Sequence, residues 1–204
     1  MPRIDRLLVA TTNPGKAREI AEILGDLGVR VAGLEAVPWV PLFEEGDESF
    51  ADGARAKAAF YSRITGWPTL GDDSGLEVDA LGGAPGVRSA RWVGPGATDA
   101  QRIAKLLAEL AGVPPERRTA RFRCAVSLVA DGREVVVAEG SCEGRILEAP
   151  RGTGGFGYDP VFLVPETGCT FAELPPAEKN ALSHRGRALA ALRARLAEWL
   201  QSDA

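Results

Sequence analysis

The sequence predicts an α/β domain carried on a mixed β-sheet flanked by helices. Short apolar strand-like segments alternate with amphipathic helix-like segments early in the chain, which implies parallel pairing. Two long strand-like segments joined by a tight turn follow, which implies antiparallel pairing. The 204 residues contain no repeat, low-complexity tract or linker, so one domain spanning 1–204 is expected.

The elements follow from local patterns. Arg6–Thr11 reads as a buried strand. Gly15–Asp26 places Ile20, Ile23, Leu24 and Leu27 on one helical face, with Gly28 as the stop. Val29–Leu34 alternates as a second strand, and Pro38–Asp47 is a loop leading into the acidic FEEGDE. Ser49 caps a helix to about Thr65, ended by Gly66-Trp67-Pro68. Thr69–Asp72 reads as a short strand stopping at a turn, with Leu76–Leu81 as one more. Thr98 and Gln101 form a capping box that opens a helix to about Leu110. Thr119–Ala130 and Glu134–Leu147 are long strands joined by the hairpin signal Asp131-Gly132. Pro150–Gly157 is glycine-rich, and Tyr158–Val164 returns to strand. The last helix spans Ser183–Gln201, striped by Leu189, Leu192, Leu196 and Leu200.

Composition narrows the function classes. With 24 basic and 28 acidic residues, net charge -4, the chain has no basic field for a nucleic acid polymer. A small phosphate ligand needs only a local cluster of positive groups. Cys124, Cys142 and Cys169 are dispersed and odd in number, against a disulfide framework or a zinc site and in favour of a reducing cytoplasm. The opening apolar run is too short for a signal peptide, and no stretch approaches a membrane span. His184 is the one histidine, which rules out a multi-histidine metal site.

The motifs that carry chemistry each have a plainer alternative. Asp72-Asp73-Ser74-Gly75 sets two carboxylates at the end of an apolar segment, where a metal is held and a water activated, or where a turn is merely capped. Thr11–Lys16, TTNPGK, places backbone amides and Lys16 before a helix, as an anion nest or an ordinary strand-to-helix loop. Glu44 and Glu45 are metal ligands or a solvated loop. Gly82–Trp92 offers Arg88 and Arg91 to phosphates or to salt bridges. Gly152–Pro160, GTGGFGYDP, brings a stacking face at Phe156 among glycines, or a hairpin with core aromatics. Glu178–Arg187 gathers Lys179, Ser183, His184 and Arg185 at a helix start, as a ligand site or a basic solvated turn.

As an ordered set, TTNPGK, DDSGLEVDALGGAPGVRSAR, GTGGFGYDP and EKNALSHRGRAL closely resemble the Ham1-like, or inosine triphosphatase, family from Leu7 to about Leu196. Trp92 departs from the smaller aromatic commoner after SAR. The resemblance implies hydrolysis of ITP, dITP and XTP to the monophosphate and pyrophosphate, clearing deaminated purines from the nucleotide pool. It also implies an elongated fold with two lobes and a central cleft, and a homodimer. On this basis Asp73 is expected to hold Mg2+ and to orient or deprotonate water, with Asp72 and Glu44 or Glu45 completing the acidic cluster. Thr11, Thr12, Asn13, Pro14, Gly15 and Lys16 would face the phosphates, and Ser74 would add a hydroxyl. Phe156, Gly157, Tyr158 and Asp159 would form the base pocket, with Lys179, Ser183, His184 and Arg185 supplying its edge donors. Competing readings are a pyrophosphatase of different base choice, a nucleotide sensor without turnover, and a structural subunit.

Overall fold

A computed structural model describes residues 6–25 and 28–202, with 197–202 described by backbone alone. The strands are β1 (Arg6–Ala10), β2 (Arg30–Ala32), β3 (Thr69–Val78), β4 (Thr119–Ala130), β5 (Arg133–Ile146), β6 (Phe162–Val164) and β7 (Cys169–Thr170). The α-helices are α1 (Pro14–Leu24), α2 (Phe50–Thr65), α3 (Asp99–Glu109), α4 (Pro176–Leu182) and α5 (His184–Ser202). The strands form one seven-stranded sheet in the order β2-β1-β3-β4-β5-β6-β7. β1 lies parallel to β2 and β3, with Leu8 opposite Ala32 and Thr69. β6 lies antiparallel to β5 and β7. The sheet is therefore mixed, as the alternation and the hairpin predict.

Local chemistry sets most boundaries where the sequence puts them. The Ser49 hydroxyl accepts from the Asp52 amide and opens α2, while Gly66 closes it at φ 70°. Thr98 and Gln101 make the reciprocal capping box of α3. Asp131 and Gly132, at φ 50° and 71°, turn β4 into β5.

Other expectations are corrected. The stop after Asp72 does not occur: β3 runs unbroken through Ser74 and Gly75 to Val78, and the Leu76 amide finds the Ser89 hydroxyl at 2.8 Å. The strand expected at Leu76–Leu81 holds only to Val78, as the end of β3, and Asp79–Leu81 is a short 3₁₀ turn. β2 is only three residues long. Tyr158–Val164 is mostly not strand, because Pro160 cannot donate to a ladder and Asp159–Val161 is a 3₁₀ turn. α4 and β7 went unforeseen, both being too short to show periodicity. The expected end of the first helix at Asp26 and the contact of Leu27 lie outside the described residues, as does the side chain of Leu200.

Contacts divide the chain into two compact units. The first takes the chain up to Asp73, Cys124–Gly140 and the chain from Arg185. Its sheet has two faces, by strand alternation. Leu7, Val9, Leu70, Cys124 and Val126 pack with Ile20 of α1 and Leu189, Leu192 and Leu196 of α5. Leu8 and Ala10 pack instead with Val37, Val40 and Tyr61 of α2. The second unit takes Ser74–Arg123 and Ser141–His184, with a core of Leu76, Ile103, Leu106, Phe122, Phe162 and Phe171.

Gly71 is required where α2 crosses β3. A Cβ there would lie 2.1 Å from the Ala54 carbonyl oxygen and 3.0 Å from the Ala58 amide, both backbone. Gly71→Ala is expected to lower stability by about 2–3 kcal/mol, read as a shift in the urea midpoint. An unchanged midpoint would mean that α2 can move away at no cost.

Candidate active site

In the first unit, neighbouring positions on β3 meet different surroundings. Leu70 and Asp72 share the α1 and α5 face; Gly71 and Asp73 share the α2 face. Asp72 is fully buried. Its Oδ1 accepts from Lys16 Nζ at 2.6 Å, and its Oδ2 from Arg185 Nε at 2.8 Å and Cys124 Sγ at 3.3 Å. Burial alone would raise the Asp72 carboxyl, but Arg185 and Lys16 hold it well below the usual carboxylate range. Arg185 is itself buried, and its NH1 donates to Glu19 of α1 at 2.5 Å. Two cations and two carboxylates thus close a buried network across β3, α1 and α5.

Asp73 is half-buried, and the same alternation sends it towards α2. Burial pushes its carboxyl up to about 6; Glu45 and Asp72 add to the rise, against the pull of Lys57 and Lys16. Gly53 of α2 makes room for this carboxylate, since a Cβ there would lie 2.3 Å from Asp73 Oδ2. Lys57, buried one turn further along, donates to Glu45 at 2.5 Å and to the Asp72 carbonyl at 3.2 Å. Lys57 escaped the motif reading. It sits on the buried face of α2 with Ala54, Ala58 and Tyr61, and a lysine in an apolar stripe was the available signal.

The loop before α1 is organised differently from the expected open anion nest. Asn13 is the helix N-cap, and its Oδ1 accepts from the Gly15 and Lys16 amides at 2.8 and 3.2 Å. The Asn13 amide in turn donates to Thr11 Oγ1 at 3.1 Å. Three amides are therefore satisfied within the loop, because a capping side chain outcompetes solvent for helix-start donors. Pro14 begins the helix and has no amide hydrogen, and Thr12 is exposed.

Among the described residues, no group of three or more His, Cys, Asp or Glu side chains forms a ready metal cage. Asp72 has both oxygens committed to cations, which takes it out of the expected acidic ligand set. Glu44 and Glu45 are both exposed on this loop, but Glu45 pairs with Lys57 and enters the field of Asp73. Two carboxylates, Asp73 and Glu45, fit a hard cation that keeps water and takes phosphate oxygens.

The second unit holds a separate aromatic cluster. Asp159 is buried, and its Oδ2 accepts from the Phe156 amide at 2.8 Å and from Lys179 Nζ at 2.5 Å. Gly155 permits this, because a Cβ there would lie 2.0 Å from the same oxygen. Lys179 stands 4.7 Å from the half-buried Phe156 ring. His184 stacks on Phe122 at 4.7 Å and 11°. Buried Ser183 ends α4, its amide donating to the Lys179 carbonyl at 2.8 Å. Tyr158 is an anchor rather than a pocket wall: it is buried, with its hydroxyl on the Ser89 carbonyl at 3.0 Å. Arg185, expected at the base edge, turns its guanidinium to Asp72 and Glu19 of the first unit. Ser74 is half-buried in this unit, on β3.

Arg185→Met is expected to lower stability by about 3–5 kcal/mol at neutral pH, since it strands buried carboxylates. The deficit should shrink as the pH falls, because a protonated Asp72 needs no cation. Urea unfolding at pH 7 and pH 5 measures both effects, and a pH-independent deficit would deny Arg185 this electrostatic role.

Comparison with known proteins gives one consistent result. Residues 7–195 match the Ham1 family. The dITP/XTP pyrophosphatase of Geobacillus kaustophilus is 53% identical over 186 residues, covering 91% of each chain. That of Geobacter sulfurreducens is 54% identical over 188 residues, covering 92% of this chain and 94% of its own. A HAM1 protein structure from Coxiella burnetii superposes with a TM-score of 0.84 at 42% identity, covering 95% of this chain and 98% of its own. With sheet, motifs and near-complete coverage in agreement, the chain belongs to the Ham1 family.

Proposed function

We propose that this protein hydrolyses dITP, XTP and ITP to the nucleoside monophosphate and pyrophosphate. The observation that carries the reading is the split of Asp72 and Asp73: one carboxylate is locked to cations, while its neighbour is half-buried and raised to about 6 between lysines. The names of the dITP/XTP pyrophosphatases to which the chain is similar support the substrate class.

Asp73 orients a water for attack on the α-phosphorus and accepts its proton. As the new P–O bond forms, the bond from the α-phosphorus to the bridging oxygen breaks and pyrophosphate leaves. A carboxyl near 6 is largely ionised at neutral pH, yet basic enough to take that proton. Lys16 exchanges part of its contact with Asp72 for a phosphate oxygen, and Lys57 balances the negative charge around Asp73. The Asn13 side-chain amide and Thr12 face the phosphates from the loop before α1. Asp73 and Glu45 would hold Mg2+, which when bound neutralises triphosphate charge.

Base choice belongs to the second unit. Phe156 stacks on the purine, and Lys179, Ser183 and His184 lie along its edge. Hypoxanthine and xanthine present a keto oxygen where adenine presents an amino donor, so a donor-lined edge disfavours adenine. Guanine differs from xanthine by an amino donor in place of an acceptor, and a second donor excludes it. Arg185 contributes through Asp72 rather than by touching the base. The homodimer and cytoplasmic location that the family resemblance implies belong to the same reading. Among the described residues, no helix is long and apolar enough to cross a membrane.

Pyrophosphate release measured on dITP, XTP, ITP, ATP, GTP and CTP, with Mg2+ and with chelator, tests the proposal. Metal-dependent release confined to the first three is expected. Comparable release from ATP or GTP would overturn the base assignment, and no release from any would overturn catalysis.

Asp73→Asn is expected to lower kcat by a factor on the order of 10²–10⁴. It should also stabilise the metal-free protein. The folded state binds a proton at Asp73 more tightly than the unfolded chain, so parental stability falls as pH rises from the ordinary carboxylate range to about 6. The Asn variant escapes that loss, gaining about 1–3 kcal/mol at pH 7 and little near pH 4. Equal stability of both proteins at pH 7 would contradict the raised carboxyl.

A further inference from the structure

The glycine-rich loop that carries Phe156 is held from two sides through successive amides. The Phe156 N–H donates to Asp159 Oδ2 at 2.8 Å, and the next amide, that of Gly157, donates to Asp99 Oδ2 at 2.7 Å. Asp159 belongs to the aromatic cluster already described. Asp99 lies elsewhere, at the first turn of α3 between the capping residues Thr98 and Gln101. Its other oxygen accepts from Arg102 NH2 at 2.6 Å, and Arg102 NH1 is fixed by the Ala97 and Ala90 carbonyls at 2.6 and 2.9 Å. The capping box fixes the helix start itself. Asp99 is therefore a rigidly mounted acceptor.

Between α3 and this loop lies a cavity of about 540 Å³, lined by Ala100, Ile103 and Leu107 of α3 and by Gly154, Phe156 and Gly157 of the loop. The open space leaves this stretch of the loop without close packing against the α3 wall. Gly155 and Gly157, at φ 71° and 62°, also leave its backbone free to adopt conformations closed to other residues. The Gly154 amide is tied to the Ala172 carbonyl at 3.0 Å, but without the Asp99 bond the segment around Gly157 has the room and the backbone freedom to shift towards α3 and carry Phe156 with it.

We propose that Asp99 is a positioning residue for substrate choice: its hydrogen bond to Gly157 holds the glycine-rich loop off the cavity and presents the Phe156 ring to the purine. This rests on the assignment of Phe156 as the stacking face. Asp99 is not among the residues assigned above to the phosphates or the metal, so its loss is expected to act on binding of the base rather than on the chemical step.

The test uses the full chain with Mg2+ and dITP, comparing Asp99→Ala, Asp99→Asn, Phe156→Ala and the double variant Asp99→Ala/Phe156→Ala. Losing a charge-assisted hydrogen bond should raise KM about tenfold, with kcat changed less than about threefold. Asp99→Asn keeps an acceptor oxygen for Gly157 and should recover most of the loss. The double variant should be no worse in KM than Phe156→Ala alone, because Asp99 acts through that ring. If Asp99→Ala lowers the melting temperature or kcat but leaves KM unchanged, Asp99 is structural and the proposal is wrong. If it raises KM equally with and without Phe156, it does not act through the ring, and the proposal is again wrong. Should Phe156→Ala itself leave KM unchanged, the stacking assignment fails and takes the clamp with it. A raised KM in Phe156→Ala beside a normal Asp99→Ala would fail the clamp alone.

Discussion

The first unit depends on one buried ion pair, Arg185 with Asp72. A buried guanidinium and a buried carboxylate are each costly to desolvate, and their attraction offsets this only when further hydrogen bonds satisfy both. Here Lys16, Glu19 and the Cys124 thiol supply those bonds. Two negative and two positive side chains cancel inside an otherwise apolar layer. The network joins the middle of the sheet to a helix from each end of the chain. An apolar replacement would pack there as well, but it would not dictate which strand residue faces which helix.

That fixed orientation creates the difference between Asp72 and Asp73. The two carboxylates are chemically identical and adjacent in sequence. What separates their proton affinities is the surroundings that the pleat delivers to each: Arg185 and Lys16 outweighing burial for one, burial outweighing the pull of Lys57 and Lys16 for the other. Gly53 and Gly71 extend the same logic to α2. By having no side chains they let the helix approach β3 closely enough for Lys57 to reach the Asp72 carbonyl. In the second unit Asp159 has a comparable joining role, binding the Phe156 amide and Lys179 through one oxygen.

Features governed by neighbouring residues were legible in the sequence. Ser49, the Thr98 and Gln101 pair and Asp131-Gly132 act through bonds to residues one to four positions away, so their spacing is their mechanism. Features governed by distant partners were not. Ser74-Gly75 carries a turn signal, yet the chain stays extended because sheet pairing and the Ser89 hydroxyl satisfy its backbone. Arg185 reads as a base-edge donor beside His184. Its carboxylate partners lie 113 and 166 residues away, beyond any local pattern. The phosphate loop lies between these cases. Its helix start was legible, but the sequence did not disclose that Asn13 would claim the amides thought free for an anion.

The alternation along β3 has a consequence for how this chain tolerates change. Substituting a residue alters one environment, whereas adding or deleting a single residue before Asp72 inverts every side chain that follows within the strand. Neither carboxylate would keep its surroundings: after a deletion Asp73 would take the place beside Arg185 and Asp72 that of Gly71 against α2, whereas after an insertion Asp72 would take the place of Asp73 and Asp73 that of Ser74. The strand behaves as a reading frame for charge, and a shift by one preserves the composition of the motif while destroying its meaning. Over evolutionary time this segment should accumulate replacements far more readily than length changes, with insertions confined to the loops on either side.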